Sequence, residues 1–109
     1  MHRDEIPPGT LYLLILKTLA RRGELHGYEI AKSIQQNSED VLQVEEGSLY
    51  PALQRMLVKG WVNAYWGTTT ENRRARYYRL TAAGRKQLQI EQSEFERVVS
   101  AITRVIQTA

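Results

Sequence analysis

The side chains of this chain that are best suited to chemistry are cations rather than catalytic groups. The sequence has no cysteine, only two histidines (His2 and His26), and no glycine-rich loop of the kind that cradles phosphate groups. The carboxylate pairs at residues 39–40 and 45–46 are adjacent, so their side chains point in different directions, and neither pairs with a histidine at metal-ligand spacing. We therefore expect no enzyme activity, no cofactor and no metal site.

The basic residues are concentrated in one segment of the chain. Residues 47–86 carry eight Lys or Arg and one acidic residue, a net charge of +7, whereas residues 1–46 have a net charge of −3 and residues 87–109 of −1. A basic stripe confined to one segment is typical of proteins that bind nucleic acid or another polyanion. The alternative is a solvated basic surface, on which Arg79 and Arg85 are salt-bridge partners of the acidic first half.

The length and composition fit one soluble domain. A chain of 109 residues can bury one hydrophobic core but not two. The longest apolar run, residues 11–16, is far shorter than the roughly 20 residues that span a bilayer. The N-terminus carries Asp4 and Glu5 and no small-residue cleavage site, so we expect a cytoplasmic protein with no membrane partner.

The periodicity of apolar residues predicts four helices, a short strand and a β-hairpin. The predicted helices cover about 11–22, 26–37, 49–59 and 82–107, with Thr10, Ser48 and Thr81 as N-caps for the first, third and fourth. Residues 41–44 are predicted as a brief strand, and an irregular arm precedes the first helix and ends at Pro7, Pro8 and Gly9. Residues 61–66 and 75–80 are predicted as a hairpin with a long basic loop at residues 67–74. The fold class is therefore mainly α with a small β-hairpin.

This order of elements is that of a winged helix-turn-helix, in which the third helix enters the DNA major groove. The apolar positions of that helix, from Leu49 to Leu57, leave Pro51, Gln54, Arg55 and Val58 pointing outward, with Tyr50 on the flank. Gln54 can hydrogen-bond adenine, and Arg55 can bind guanine or phosphate.

We expect double-stranded DNA to be contacted by polar or aromatic residues of the second helix, the third helix and the hairpin. The candidate DNA-binding residues are Tyr28, Lys32, Ser48, Tyr50, Pro51, Gln54, Arg55, Arg73, Arg74 and Arg76. For most of them the alternative is an ordinary solvated face. His26 and Gly27 are expected to be structural, at the start of the second helix.

The last helix carries an apolar stripe with the 3-4-3 spacing of a helix pair, at residues 95, 98, 102 and 105. At about 27 residues and 1.5 Å per residue it would be ~40 Å long, longer than a compact domain of this size is wide. Its far end should therefore overhang and pack against a second copy of the chain. The candidate dimerisation residues are Leu88, Phe95, Val98, Val99, Ile102, Val105 and Ile106.

Four blocks of the sequence resemble the PadR-type bacterial transcriptional regulators. They are residues 25–30 (LHGYEI), 46–53 (EGSLYPAL), 59–61 (KGW) and 73–81 (RRARYYRLT) followed by Gly84. The resemblance runs from about Pro8 to the end and implies a dimeric winged-helix repressor that binds a palindromic operator and is released by a small effector. It corresponds to the short branch of the family, with residues 1–80 as the winged helix-turn-helix and 81–109 as a dimerisation helix in one continuous unit. Ala82 stands where family members often have proline, a variation at the helix start.

Two further hypotheses follow from the sequence. Trp61, Trp66 and Phe95 are a candidate effector pocket at the dimer seam, for a small aromatic or cationic-amphipathic molecule, although such residues also serve as core or interface packing. The alternative function is a winged-helix module that binds another protein through the hairpin edge and the last helix, without specific DNA binding.

Overall fold

The computed structural model describes residues 4–5 and 9–109, and in that part of the chain it contains four helices and five strands. The helices are α1 (Leu11–Arg22), α2 (Gly27–Asn37), α3 (Glu46–Val58) and α4 (Ala82–Gln107). The strands are β1 (Asp4–Glu5), β2 (Leu25–His26), β3 (Leu42–Gln43), β4 (Val62–Thr68) and β5 (Arg74–Leu80). An antiparallel sheet has the order β2-β5-β4, and β1 pairs with β3 in parallel. The predicted winged helix-turn-helix with a long C-terminal helix is confirmed.

One hydrophobic core joins α1, α2 and α3 to the inner face of the sheet and the first turns of α4. On the apolar faces of α2 and α3, Ala31 and Leu57 are partly buried and the other side chains predicted for the core are buried. In α1 the fully buried side chains include Leu16, and Leu11 and Leu14 are only partly buried. The largest fully buried side chains are Ile15, Leu16, Leu19, Ile30, Leu49, Leu53, Met56 and Val62. The core therefore fixes the positions of α2, α3 and the hairpin relative to one another.

Two short strands were not predicted from the sequence. Asp4–Glu5, in the segment predicted to be an irregular arm, pairs with Leu42–Gln43, and Leu25–His26 pairs with Tyr77 and Tyr78 of β5. Strands of two residues have no alternation that a sequence pattern could show, and each forms because a partner strand is already in place. Pro7 and Pro8, predicted to end the arm, lie outside the described residues.

The third helix begins three residues earlier than predicted. The carbonyl oxygen of Glu45 accepts hydrogen bonds from the N–H groups of Ser48 (3.0 Å) and Leu49 (2.9 Å), so Glu45 is the N-cap residue and Ser48 lies inside α3. The prediction that Ser48 caps the helix is wrong, and Pro51 falls in the second turn rather than the first. Because Pro51 has no N–H to donate, the Gly47 carbonyl lacks its intrahelical partner on the exposed side of the helix.

The hairpin is longer and its turn shorter than predicted. β4 and β5 pair over seven residues each, from Val62 opposite Leu80 to Thr68 opposite Arg74, which leaves residues 69–73 as the turn. Within it, the Thr69 N–H donates to the Arg73 carbonyl (2.7 Å), and Asn72 has a positive φ of 62°. Arg74, predicted to lie in the loop, therefore belongs to a strand, whereas Asn72 and Arg73 lie in the turn.

The last helix confirms its predicted cap and its overhang. The hydroxyl of Thr81 accepts a hydrogen bond from the Gly84 N–H (3.0 Å), and of the residues of α4 only Gly84 and Leu88 are buried. The chain measures 57 × 35 × 22 Å, so α4 extends past the core. Leu88, which was predicted to mediate dimerisation, packs instead in the core of its own chain. No helix of the described part of the chain is both long enough and apolar enough to cross a bilayer.

A close backbone approach at Gly84 holds α4 against the sheet. A Cβ added at Gly84 would lie 2.0 Å from the Trp61 carbonyl oxygen, which itself accepts the Thr81 N–H. We expect Gly84→Ala to lower the free energy of unfolding by about 1–3 kcal/mol, because the backbone must shift, even though alanine favours helix. Urea unfolding followed by circular dichroism measures this change.

Gly47→Ala is the matched control for that experiment. Gly47 also lies in a helix, but no atom is within 4 Å of the position of its added Cβ. The substitution should leave the stability unchanged or raise it by up to about 1 kcal/mol. Equal effects of the two substitutions would contradict the close approach of α4 to Trp61.

Candidate nucleic-acid interface

The start of α2 is fixed by a reciprocal capping interaction. The His26 Nδ1 accepts a hydrogen bond from the Glu29 N–H (3.4 Å), while the Glu29 carboxylate accepts one from the His26 N–H (3.1 Å). This is a capping box, with histidine in the place usually taken by serine or threonine. His26 therefore has the structural role expected for it, and the first turn of α2 presents Tyr28 to solvent.

Tyr28 and Lys32 form an aromatic and cationic pair on the exposed side of α2. The side chain of Tyr28 is 65% exposed, and the Lys32 Nζ lies 6.0 Å from the centre of its ring. On its other side the Tyr28 ring lies beside the imidazole of His26, with the ring centres 6.4 Å apart. Although most of its surface is exposed, the Tyr28 ring therefore has a cation and a second aromatic ring as neighbours.

The first turn of α2 touches the second turn of α3. A Cβ added at Gly27 would lie 2.8 Å from the Tyr50 ring, so only glycine leaves room for this ring at the observed position. Tyr50 remains 46% exposed. The Gly27–Tyr50 contact therefore brings Tyr50 next to Tyr28, although the two residues lie on different helices.

The exposed face of α3 carries Tyr50, Pro51 and Gln54. Pro51 and Gln54 point away from the core together with Val58. Tyr50 and Arg55 lie about 70° from that direction on opposite flanks, with Ser48 beyond Arg55. The Arg55 Nε donates to the Tyr12 hydroxyl (2.6 Å), and its guanidinium lies over the Tyr12 ring. Arg55 is therefore exposed but bonded to α1, on the flank of α3 opposite Tyr50, and its contact with DNA stays a prediction.

Two grooves flank α2 and share Tyr28 and Lys32. The groove towards α3, of about 330 Å³, is also lined by Tyr50, and the groove towards the hairpin turn, of about 640 Å³, is also lined by Arg73. The four side chains thus belong to one surface that runs from α3 across α2 to the hairpin turn. We call Tyr28, Lys32, Tyr50 and Arg73 the α2-centred face.

The arginines at the outer end of the hairpin keep an unneutralised positive charge within the described part of the chain. No carboxylate of the described residues lies within salt-bridge distance of Arg73, Arg74 or Arg76. Arg74 and Arg76 instead lie over the indole of Trp66, at 4.4 and 6.0 Å from the ring centre. Positive charge without a carboxylate partner is available to an external anion.

The opposite face of the hairpin is tied to the turn between α1 and β2. The Tyr65 hydroxyl donates to the Glu24 carboxylate (2.6 Å), and Arg79 forms a 3.4 Å salt bridge with the same group. Arg79 therefore follows the alternative of a salt bridge with the acidic first half, whereas Arg85 has no such partner among the described residues. The role of Glu24 could not be predicted from the sequence, because its partners lie 41 and 55 residues away and no local spacing signals them.

The three residues predicted to line an effector pocket do not meet within one chain. Trp61 packs edge-on against Tyr12 at 5.3 Å, and Trp66 lies five residues further along the strand, about 17 Å away. Trp66 lies beneath arginines on the hairpin, and Phe95 lies half-exposed on α4. These residues therefore form no pocket within one chain, and the predicted pocket at the dimer seam, where two chains would meet, stays a prediction.

Comparisons with known proteins agree with this geometry. The sequence profile of the transcriptional regulator PadR-like family matches residues 15–90. An uncharacterized protein of Lysinibacillus sphaericus is 32% identical over 88 residues, which make up 81% of this chain and 80% of that protein.

Solved structures give the same result for the fold. A transcriptional regulator from Clostridium thermocellum is 30% identical, with a TM-score of 0.82 over 91% of this chain and 95% of that one. A PadR family transcription regulator from Clostridium difficile R20291 is 29% identical, with a TM-score of 0.75 over 89% of this chain and 98% of that one.

The link between Glu24 and Tyr65 predicts a pH-dependent change. The hydrogen bond to Glu24 is the main reason that the pKa of Tyr65 is raised above 10.0, with partial desolvation and the carboxylate charge adding to it. The bond stabilises the fold at pH below 10 and is lost as the pH rises through the raised pKa. In Glu24→Ala the pKa of Tyr65 should fall towards 10, as measured by NMR titration of the tyrosine Cζ resonances.

Tyr78 is the internal control in the same spectra. Its pKa is raised mainly by burial, so removing the Glu24 carboxylate should leave its titration in place. An unchanged pKa of Tyr65 in Glu24→Ala would contradict the hydrogen bond.

Proposed function

Because this chain belongs to the PadR-like family of transcriptional regulators, we propose that it binds double-stranded DNA as a homodimer and represses transcription from a palindromic operator. The observation that carries the proposal is the α2-centred face, which joins exposed residues of α2, α3 and the hairpin turn into one surface. In a winged helix-turn-helix these are the elements that meet DNA.

Some residues of this surface are suited to phosphate contacts, which position the protein on DNA, and others to base contacts, which read the DNA sequence. Lys32 and Arg73 supply positive charge at the two sides of the groove between α2 and the hairpin turn, as contacts to phosphate require. Tyr28 and Tyr50 add hydroxyl groups that can donate to phosphate or base edges. Gln54, exposed on the same side of α3 as Tyr50, has the amide group that pairs with adenine in the major groove.

The apolar stripe of α4 supports a dimer. From Phe95 to Ile106 six large apolar side chains are between 40% and 75% exposed. They are Phe95, Val98, Val99, Ile102, Val105 and Ile106. Soluble chains rarely leave such a continuous stripe in water, and its 3-4-3 spacing is that of a seam between two helices. We propose that a second copy of α4 covers it, which makes residues 81–109 the dimerisation helix and residues 1–80 the DNA-binding part.

A symmetric dimer accounts for the proposed operator and mode of action. Two identical reading helices would meet two identical half-sites, with centres about 34–36 Å apart along the duplex. A protein bound in this way blocks other proteins from the same DNA, and repression follows from that occupancy. We propose no effector site within one chain, because Trp61 precedes β4 and Trp66 lies near the outer end of that strand.

Selection of bound DNA from a pool of random duplexes tests this function. Recovery of a palindrome whose half-sites are about one helical turn apart would support both DNA reading and the dimer. Failure to bind any duplex at about 50 mM salt, where electrostatic association is strong, would contradict the proposal and favour the protein-binding alternative.

Two sets of substitutions should separate the residues that contact phosphate from those that read the bases. In Lys32→Gln/Arg73→Gln, affinity should fall for all duplexes alike, and the slope of log affinity against log salt should flatten by about 1.8, or 0.9 per phosphate contact. Gln54→Ala should instead change the preferred base at one position of each half-site. Fluorescence anisotropy titrations over a range of salt concentrations measure both effects.

Arg79→Gln, which removes one positive charge, is the control for these titrations. Arg79 is also exposed on the hairpin but is already paired with Glu24, so its loss should leave the salt slope nearly unchanged. The same loss of affinity and slope in all three variants would show that the α2-centred face is not the DNA contact.

The dimer can be tested by a charge placed on α4. Ile102→Glu should separate the two chains, because it would bury a carboxylate in an apolar seam. Ser100→Glu adds the same charge about 200° away around the helix and should leave the dimer intact. Sedimentation velocity at micromolar concentration distinguishes the two; a monomeric wild-type chain, or dimers in both variants, would contradict the proposed seam.

A further inference from the structure

Trp66 occupies an unusual position for a large aromatic side chain. It lies near the outer end of β4 and is 57% exposed, so it contributes little to the core. Arg76 is directly opposite it on β5, and Arg74 lies opposite Thr68, two residues further along the same side. Both guanidinium groups lie over the indole, at 4.4 and 6.0 Å from its centre.

This cluster lies on the side of the hairpin that continues from the core. Residues alternate between the two faces of a strand, so Trp66, Arg74 and Arg76 share a face with the buried Val62, Tyr78 and Leu80. Arg76 and Tyr50 are both close enough to Tyr78 to affect its pKa, which burial raises. The Trp66 cluster therefore lies on the same face of the hairpin as Tyr78, which is close to Tyr50 of α3.

Contact with an aromatic ring affects an arginine differently from a salt bridge. The ring interacts with the guanidinium without consuming its charge, and the donor groups remain able to form bidentate bonds with phosphate. A free arginine loses side-chain entropy when it binds, whereas one already held on a ring has lost part of that entropy beforehand. No carboxylate of the described residues competes for either guanidinium.

We infer that Trp66 is a positioning residue for DNA, an aromatic platform that holds Arg74 and Arg76 in place to bind the phosphates beside the proposed reading helix. The inference rests on the proposed function and adds to it a role for a side chain that carries no charge. Trp66 acts through the two arginines and does not itself bind DNA.

A double-mutant cycle tests this role. We compare Trp66→Leu, Arg74→Gln/Arg76→Gln and the combined triple variant, using a labelled duplex of random sequence and about 30 base pairs. Trp66→Leu should lower affinity about fivefold to tenfold while the salt slope stays the same, because both charges remain. Arg74→Gln/Arg76→Gln should lower affinity and flatten the slope by about 1.8.

The decisive measurement is the effect of Trp66→Leu when the arginines are absent. If Trp66 acts only through them, its removal from the Arg74→Gln/Arg76→Gln protein should change affinity by less than twofold. A fivefold or larger loss in that background would overturn the inference, because Trp66 would then contact DNA itself. No loss in either background would overturn it as well.

Two further variants guard against a general loss of structure. Trp66→Phe keeps an aromatic face and should lose less than threefold in affinity, whereas a loss equal to that of Trp66→Leu would overturn the platform. Arg79→Gln removes a charge from the other face of β5, where Glu24 already pairs with it, and should leave the effect of Trp66→Leu unchanged.

A measurement without DNA separates this inference from the proposed function. In Trp61→Phe, Trp66 is the only tryptophan, so its fluorescence reports on the platform alone. Adding Arg74→Gln/Arg76→Gln should increase quenching by acrylamide, because the guanidinium groups no longer cover the indole. Unchanged quenching would overturn the platform even if the protein binds DNA. Increased quenching in a protein that binds no duplex would instead overturn the proposed function, while the stacking of the arginines on Trp66 would stand.

Discussion

The pairing of β2 with β5 is the interaction on which the candidate interface depends. Leu25 and His26 are hydrogen-bonded to the hairpin at Tyr78 and Tyr77, and His26 also caps α2. The same two residues therefore link the hairpin directly to the start of α2. The grooves on either side of α2 follow from this link, because a shift of β2 would move Tyr28 relative to both Tyr50 and Arg73.

The two faces of the hairpin differ in whether their arginines have a carboxylate partner. One face meets Glu24, which pairs with Arg79 and accepts the hydroxyl of Tyr65. The other face carries Arg74 and Arg76 over Trp66, with no carboxylate from the described residues. A single acidic side chain at the turn after α1 thus decides which of the hairpin arginines is structural and which are available to a ligand.

The sequence was most informative where a pattern extends over several turns or depends on charge. Apolar periodicity and capping residues act locally, so they could predict the helices, the Thr81 cap, the overhang of α4 and the winged-helix order. Contacts between distant parts of the chain could not be predicted in this way. Four features depend on partners that only the folded chain brings near. They are the start of α3 at Glu46, the two-residue strands, the bond between Arg55 and Tyr12, and the burial of Leu88.

The direct connection between the hairpin and α4 has a mechanical consequence. Only Thr81 separates the end of β5 from the start of α4, and Gly84 packs against the Trp61 carbonyl, so the sheet and the helix turn together. A rod of 26 residues is about 39 Å long, and a tilt of about 5° at one end displaces the other by about 3.4 Å. That displacement equals the rise of one base step. In the proposed dimer, the crossing angle of the two α4 helices would therefore determine which distance between operator half-sites the protein fits.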